Sequence, residues 1–134
     1  MSRSETPARP LALVVEDDPD ILGMLARALR HLGFDVAPAQ GGEEALRLFR
    51  EKPADVVLCA VRMPGMDGPA TLQALRALDP AVRCVFMSGQ PGRHMAEQLR
   101  GLGAAAVVEK PFRSLADLAG LLREVAGRGR GGSP

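Results

Sequence analysis

Tryptophan and tyrosine are absent from this 134-residue chain, and phenylalanine occurs only four times. Surfaces that hold bases or sugars by stacking draw on aromatic faces, so that class of binding is disfavoured. Cysteine occurs twice, as Cys59 and Cys84, each inside an apolar run (VVLCAV and VRCVFM). Thiols in such runs are expected to be reduced, buried core residues. Neither sign of charge dominates. The formal net charge is +1, so no strong field draws the chain to nucleic acid or to a membrane. No apolar run approaches the ~20 residues of a membrane span. The opening MSRSETPARP has no apolar signal core. The expected compartment is therefore the cytoplasm. His31 and His94 are far apart in sequence from each other, fall on or near predicted helices and read as surface residues.

What is present fits one globular domain. Hydrophobic residues make up 46% and charged residues 25%, ordinary values for a domain of this length. Residues 1–9 are polar with proline, and 127–134 read GRGRGGSP. Both are expected to be disordered ends around a domain of residues 10–126. Arg128 and Arg130, with Arg123 just before them, read as a solvated basic end rather than a patch for RNA or an acidic partner.

Between the ends, short apolar runs alternate with helical patterns. LALVV (Leu11 to Val15) is a continuous run, as expected of a strand buried on both faces. Asp18-Pro19 supplies a helix cap followed by proline at the first helical position. Ile21, Leu22, Leu25, Ala28, Leu29 and Leu32 then recur at helical spacing, and Gly33 offers the left-handed stop. FDVAPA is a short strand whose Pro38 puts it at a sheet edge. A helix over about residues 43–51 leads to DVVLCA, the third strand. A loop of Met, Pro and Gly precedes a helix through Leu72, Leu75 and Leu78, and Asp79-Pro80 breaks it. VRCVFM is the fourth strand, followed by the loop SGQPG and a short helix from Met95 to Leu102. AAAVV is the fifth strand, and Lys110-Pro111 turns the chain into a last helix from Leu115 to Val125. The fold class is α/β. Five strands alternating with five helices predict a doubly wound parallel sheet of order 2-1-3-4-5. Ligands of such sheets bind outside the carboxyl ends of the strands.

Those ends carry the chemistry. The first strand ends in Glu16-Asp17-Asp18, the third in Ala60, the fourth in Ser88-Gly89 and the fifth in Lys110-Pro111. Adjacent carboxylates suit a hard divalent cation such as Mg²⁺, which keeps waters and phosphate oxygens as its other ligands. A hydroxyl and an ammonium can hold the remaining oxygens of a phosphoryl group. A carboxylate at position 60 would complete an aspartyl-phosphate site. Alanine has no lone pair and can neither carry an acyl phosphate nor ligate a metal.

The stretches VVEDDP, DVVLCAVRMPGMDG, FMSGQ and EKPF follow one another between Leu11 and Ala126. Together they resemble the receiver domain of two-component response regulators. The resemblance implies a flavodoxin-like fold, in a family that catalyses its own phosphorylation from a histidine kinase or a small phosphodonor with Mg²⁺. It implies that Glu16 and Asp17 are the acidic pair of a metal site, with the backbone carbonyl of Arg62 as a further ligand. It also implies that Ser88 is the switch hydroxyl, that Gly89 keeps the site open and that Lys110 is the phosphate-binding lysine. The bond from Lys110 to Pro111 is often cis in the family. Met63-Pro64-Gly65 and Asp67-Gly68 correspond to the loop that shapes the site.

Two positions depart from that pattern. The phosphoacceptor aspartate falls on Ala60, and the aromatic switch residue on Val107. Ordinary phosphorylation is then not expected, and Mg²⁺ affinity is expected to be weakened or lost. Lys110 is expected to pair with Glu16 or Asp17. No catalytic residue remains, so enzyme activity is not expected. What remains is a single-domain receiver acting as a non-phosphorylatable interaction module for a histidine kinase or other signalling protein. The family's usual contact surface corresponds to residues 93–125 here, with Arg93, His94, Glu97, Arg100, Arg113 and Asp117. The chain ends within about ten residues of the last helix, too few for a DNA-binding unit, so no direct DNA binding is expected. A second reading makes Ala60 an engineered substitution in an ordinary Mg²⁺-dependent receiver. A third, a flavodoxin-like FMN-binding module, is opposed by the acids after the first strand, which repel a phosphate.

Overall fold

The computed structural model describes residues 9–89, 92–110, 112 and 114–128. The expectations for residues 1–8, Gln90, Pro91, Pro111, Arg113 and 129–134 concern residues outside that description. The strands are β1 (Leu11–Val15), β2 (Asp35–Ala39), β3 (Val56–Ala60), β4 (Cys84–Ser88) and β5 (Ala106–Glu109). The helices are α1 (Pro19–His31), α2 (Gly42–Glu51), α3 (Gly68–Leu78), α4 (Gly92–Gly101) and α5 (Leu115–Gly127). All strand pairings are parallel, in the order β2-β1-β3-β4-β5. The alternation read from the sequence therefore gives the expected sheet.

Local chemistry sets the element ends. Asp18 caps α1 by accepting from the amides of Asp20 (2.9 Å) and Ile21 (3.3 Å), with Pro19 in the first turn. Asp67 caps α3 through the Ala70 amide at 2.9 Å, and Ser114 caps α5 through the Asp117 amide at 3.1 Å. Gly33 and Gly103 both adopt φ +106°, the left-handed backbone that stops α1 and α4.

Burial follows the topology. β3 and β4 are central and buried at every position, which explains their unbroken apolar runs. β2 lies at an edge, where the missing donor of Pro38 is tolerated. α1 packs against α5, and α2 against α3, so right-handed crossovers cover both faces of the sheet. The core gathers Leu13, Leu25, Leu29, Phe34, Leu58, Leu72, Leu75, Phe86 and Leu122. Cys59 and Cys84 are free and buried within it, and His31 and His94 are exposed, as expected. Among the described residues no helix is long and apolar enough to cross a membrane.

Four boundaries differ from the sequence reading. Arg9, assigned to the disordered extension, is pinned instead. Its guanidinium donates to the Asp35 carboxylate (3.1 Å) and to the carbonyls of Arg30 (2.9 Å) and Phe34 (2.7 Å). α5 continues through Gly127, because glycine at a helix end gives up little where nothing crowds it. α4 starts at Gly92 rather than Met95, and β5 starts at Ala106 rather than Ala104. The apolar pattern marks the buried stretch of an element, not its hydrogen-bonded length.

Gly68 is a steric requirement of the fold. A Cβ there would run into the Ala60 carbonyl oxygen and would come within 2.9 Å of both the Phe86 ring and the Val61 Cα. Gly120, exposed within α5, has open space where a Cβ would go. Gly68→Ala is expected to destabilise the domain by about 1–3 kcal/mol. Gly120→Ala is expected to stabilise it by roughly 0.5–1 kcal/mol. Urea unfolding of both variants checks the pair, and equal shifts would contradict this packing.

Candidate functional site

The parallel register brings the candidate residues to one edge. Val15 is opposite Cys59, so Glu16, one step on, is level with Ala60. Ala60 is in turn opposite Met87, the residue before Ser88. Ser88 is opposite Glu109, the residue before Lys110. Backbone bonds carry this alignment past the strand ends. The Glu16 amide donates to Ala39 at 3.0 Å, the Val61 amide to Met87 at 3.1 Å and the Lys110 amide to Ser88 at 2.8 Å.

Glu16 is the least solvated charge at this edge, with only 3% of its side chain exposed. One carboxylate oxygen accepts from the Lys110 ammonium at 2.9 Å. The other accepts from the Asp18 amide at 3.0 Å. Lys110 therefore pairs with Glu16, one of its two expected partners. Asp17 is exposed and turned toward solvent. Both Glu16 oxygens are thus engaged, and Ala60 offers none. Among the described residues no group of three or more His, Cys, Asp or Glu side chains converges to hold a metal.

Ala60 is 1% exposed and belongs to the hydrophobic core, so the strand accepts its methyl group without strain. Above it lies a hollow of about 300 Å³ lined by Ala60, Val61, Arg62, Met87, Ser88, Gly89 and Lys110. Ser88 is buried, and its hydroxyl donates to the Met95 thioether at 3.8 Å. Gly89 is exposed, with open space where a Cβ would be. Arg62 lines both this hollow and a neighbouring groove formed with Met63, Asp67, Pro69 and Met95. Val107 is half-buried on β5, opposite Phe86, and packs on the core. A larger hollow of about 430 Å³ lies between β5 and α5. Its lining joins apolar Val108, Phe112, Leu118 and Leu121 to polar Glu109, Lys110, Ser114 and Asp117, so Lys110 borders both hollows.

The loop after β3 folds back on the strand end. The Gly68 amide donates to the Val61 carbonyl at 2.8 Å, and Gly65 turns the chain with φ +74°. Met63 is buried and Met66 half-buried, so both pack the loop as expected. Met95 is the contact that sequence reading missed. Its spacing from buried Leu99 marks an inward helix face. Nothing in the sequence says that this face reaches Ser88.

The Cys59 thiol next to Ala60 is pushed up to about 12, first by burial, then by the negative charges of Glu16 and Asp67. Burial also raises Cys84, with Cys59 adding to it. Cys59 donates its S–H to the Ala60 carbonyl at 3.3 Å.

Two outcomes follow from these charges. A thiol whose folded pKa is raised contributes stability that is complete below its unfolded pKa and is lost as pH rises through the folded one. Between the ordinary value of 9.0 and about 12, the fold should lose about 1.4 kcal/mol per pH unit through Cys59. Unfolding midpoints measured from neutral to alkaline pH should fall less steeply in a Cys59→Ala, Cys84→Ala variant. The second outcome concerns the ion pair. Glu16 is the more deeply buried partner, so Lys110→Met, which strands the carboxylate, should cost about 3 kcal/mol. Glu16→Gln should cost less, about 1 kcal/mol, because the exposed part of Lys110 stays hydrated. Denaturant unfolding of the two variants tests the order, and the reverse order would contradict it.

Comparisons with known proteins agree with this geometry. The family model of the response regulator receiver domain matches residues 12–123. The transcriptional regulatory protein ZraR of Salmonella typhimurium is 41% identical over 100 residues, which cover 75% of this chain and 23% of that protein. The transcriptional regulatory protein PrrA of Mycobacterium tuberculosis is 40% identical over 105 residues, covering 77% of this chain and 44% of that protein. The chain thus spans less than half the length of these relatives. The solved chemotaxis protein CheY4 of Vibrio cholerae superposes with a TM-score of 0.83 at 26% identity, covering 88% of this chain and 99% of that one. A receiver domain protein of Clostridium thermocellum gives a TM-score of 0.81 at 25% identity, covering 87% and 94%. The fold is flavodoxin-like, and the chain belongs to the response regulator receiver domain family of two-component systems.

Proposed function

We propose that this receiver lacks its phosphoacceptor and works as a non-phosphorylatable protein-interaction module. The observation that carries the reading is the methyl group of Ala60 at the end of β3. It stands level with Glu16 and lines the same hollow as Ser88 and Lys110. A hydroxyl and an ammonium surround the spot where acyl phosphate chemistry needs a carboxylate, and none is there. No acyl phosphate forms at that position, and the domain is not an enzyme.

Mg²⁺ binding is correspondingly poor. Glu16 already gives one oxygen to Lys110 and the other to the Asp18 amide. Asp17 and the Arg62 carbonyl alone do not make a dedicated site for an ion that demands near-octahedral oxygen ligation. Val107 is aliphatic and packed on the core, so no ring swings inward when the pocket changes. The module presents the surface of α4, β5 and α5 to a histidine kinase or another signalling protein in the cytoplasm. Arg93, His94, Glu97, Arg100 and Asp117 are exposed there. The domain itself contacts no DNA.

A second reading, in which Ala60 is an engineered substitution in an ordinary receiver, is favoured by the other strand-end groups, which all remain in place. One experiment addresses both. The chain as given, incubated with acetyl phosphate and Mg²⁺, is expected to show no phosphoryl adduct by intact mass. Ala60→Asp is expected to acquire one base-labile phosphoryl group and to bind Mg²⁺ more tightly. A stoichiometric base-labile adduct on the chain as given would overturn the proposal.

A further inference from the structure

We propose that the arginine-rich surface around the end of α1 and the turn into β2 docks an acidic peptide segment of a partner protein. This surface lies at the amino ends of the strands, away from Ala60 and the hollow above it. It does not depend on the reading of that site.

Three guanidiniums converge on one short stretch of chain. Arg9, just before β1, donates to the carbonyls of Arg30 and Phe34. Arg123, from α5, donates to the Leu32 carbonyl at 2.6 Å and sits over the Phe34 ring, 5.2 Å from its centre. Arg30 donates to the Val36 carbonyl at 3.3 Å. Arg27, three residues earlier on α1, shares the helix face of Arg30. All four arginines are exposed. Arg123 was expected in a solvated basic end and is anchored instead.

Helix-end electrostatics does not account for so many cations. The carboxyl end of a helix carries roughly half a negative charge. Asp35 adds one carboxylate, already bonded to Arg9 at 3.1 Å. Glu124 pairs with Arg128 at 3.5 Å, and Asp55 accepts from the Leu11 amide at 2.7 Å. Positive charge is left over, and so are donors. A guanidinium has five N–H groups, while Arg30 and Arg123 each make one hydrogen bond among the described residues. The bonds to backbone carbonyls also hold the forks in place, so less side-chain freedom is lost when a ligand arrives.

The chemistry favours carboxylates on a peptide. A planar guanidinium matches a carboxylate through two parallel hydrogen bonds, so Asp and Glu side chains fit. Single-stranded nucleic acid needs faces on which its bases stack. Phe34 is fully buried, with the Arg123 guanidinium over its ring. The arginines come from the chain before β1, from α1 and from α5, so a docked segment crosses three parts of the fold.

An NMR titration of the whole chain with a glutamate octapeptide tests this, with an oligothymidylate of equal charge in a parallel arm. Saturable amide shifts at residues 9, 27–36 and 123 are expected with the peptide, weakening as salt is raised. Arg30→Glu should weaken peptide binding about tenfold or more, because a like charge replaces an attractive one. Arg27→Glu should also weaken it, and Arg27 makes no hydrogen bond among the described residues whose loss would disturb the fold. Lys52→Glu makes the same change in net charge at the exposed end of α2, on the other face of the sheet. It should alter affinity by less than about twofold, since screening confines the effect to nearby charges. Equal losses in the Lys52 and arginine variants would overturn the proposal. So would shifts scattered over the whole surface, or binding of the oligothymidylate as tight as that of the peptide.

Discussion

The bond between Lys110 and Glu16 closes this domain. It joins residues 94 positions apart in sequence, one following β5 and the other following β1. Two strands, β3 and β4, lie between them. Three strand spacings amount to roughly 14 Å, so the lysine chain must reach back across the strand ends to meet the carboxylate. Burying an unpaired carboxylate is strongly unfavourable. Glu16, almost without solvent, therefore fixes where the ammonium goes. The Asp18 amide on its second oxygen holds it at the mouth of α1. One buried charge thus positions β1, the start of α1 and the end of β5 together.

Everything beneath that bond can then be apolar. Cys59 and Ala60 are as buried as the middle of the core, and both thiols keep their protons. The loop after β3 is held by steric fit rather than charge. Gly68 lies against the Ala60 carbonyl, leaving no room for a side chain, and its amide bonds to Val61. The same loop reaches the other helices of that face. A Cβ on Gly42 would collide with Thr71 and Met66, so the mouths of α2 and α3 are packed through the loop. A change in the loop is felt at two helices at once.

The sheet was legible because its signals are local. Continuous apolar runs, Pro38 at an edge, the Asp18-Pro19 cap and the glycine stops each act within a few residues, and together they give five strands and their order. Glu16, Ser88 and Lys110 were legible for a related reason: a parallel sheet gathers whatever follows its strands. What was not legible depends on side-chain direction across the fold. Glu16 and Asp17 are adjacent, but only the first turns inward to Lys110. Met95 touches Ser88 from α4, and no periodicity says that this helix face reaches the end of β4. Arg9 looked like part of a tail, yet carbonyls of the α1–β2 turn and Asp35 capture it. Such captures depend on where distant backbone carbonyls come to lie, which composition does not encode.

Charge balance explains why alanine at position 60 suits this arrangement. An acid there would stand with Glu16 and Asp17 as a third negative charge facing Lys110, and like charges that close repel unless a cation joins them. With alanine, Glu16 has Lys110 to itself, and Asp17 faces water. Arg62 and Lys110 are then the charges left around the hollow. The Glu16–Lys110 ion pair is part of the resting structure. Alanine at this strand end therefore leaves an edge whose one buried acid is fully paired, with Lys110 on one oxygen and the Asp18 amide on the other.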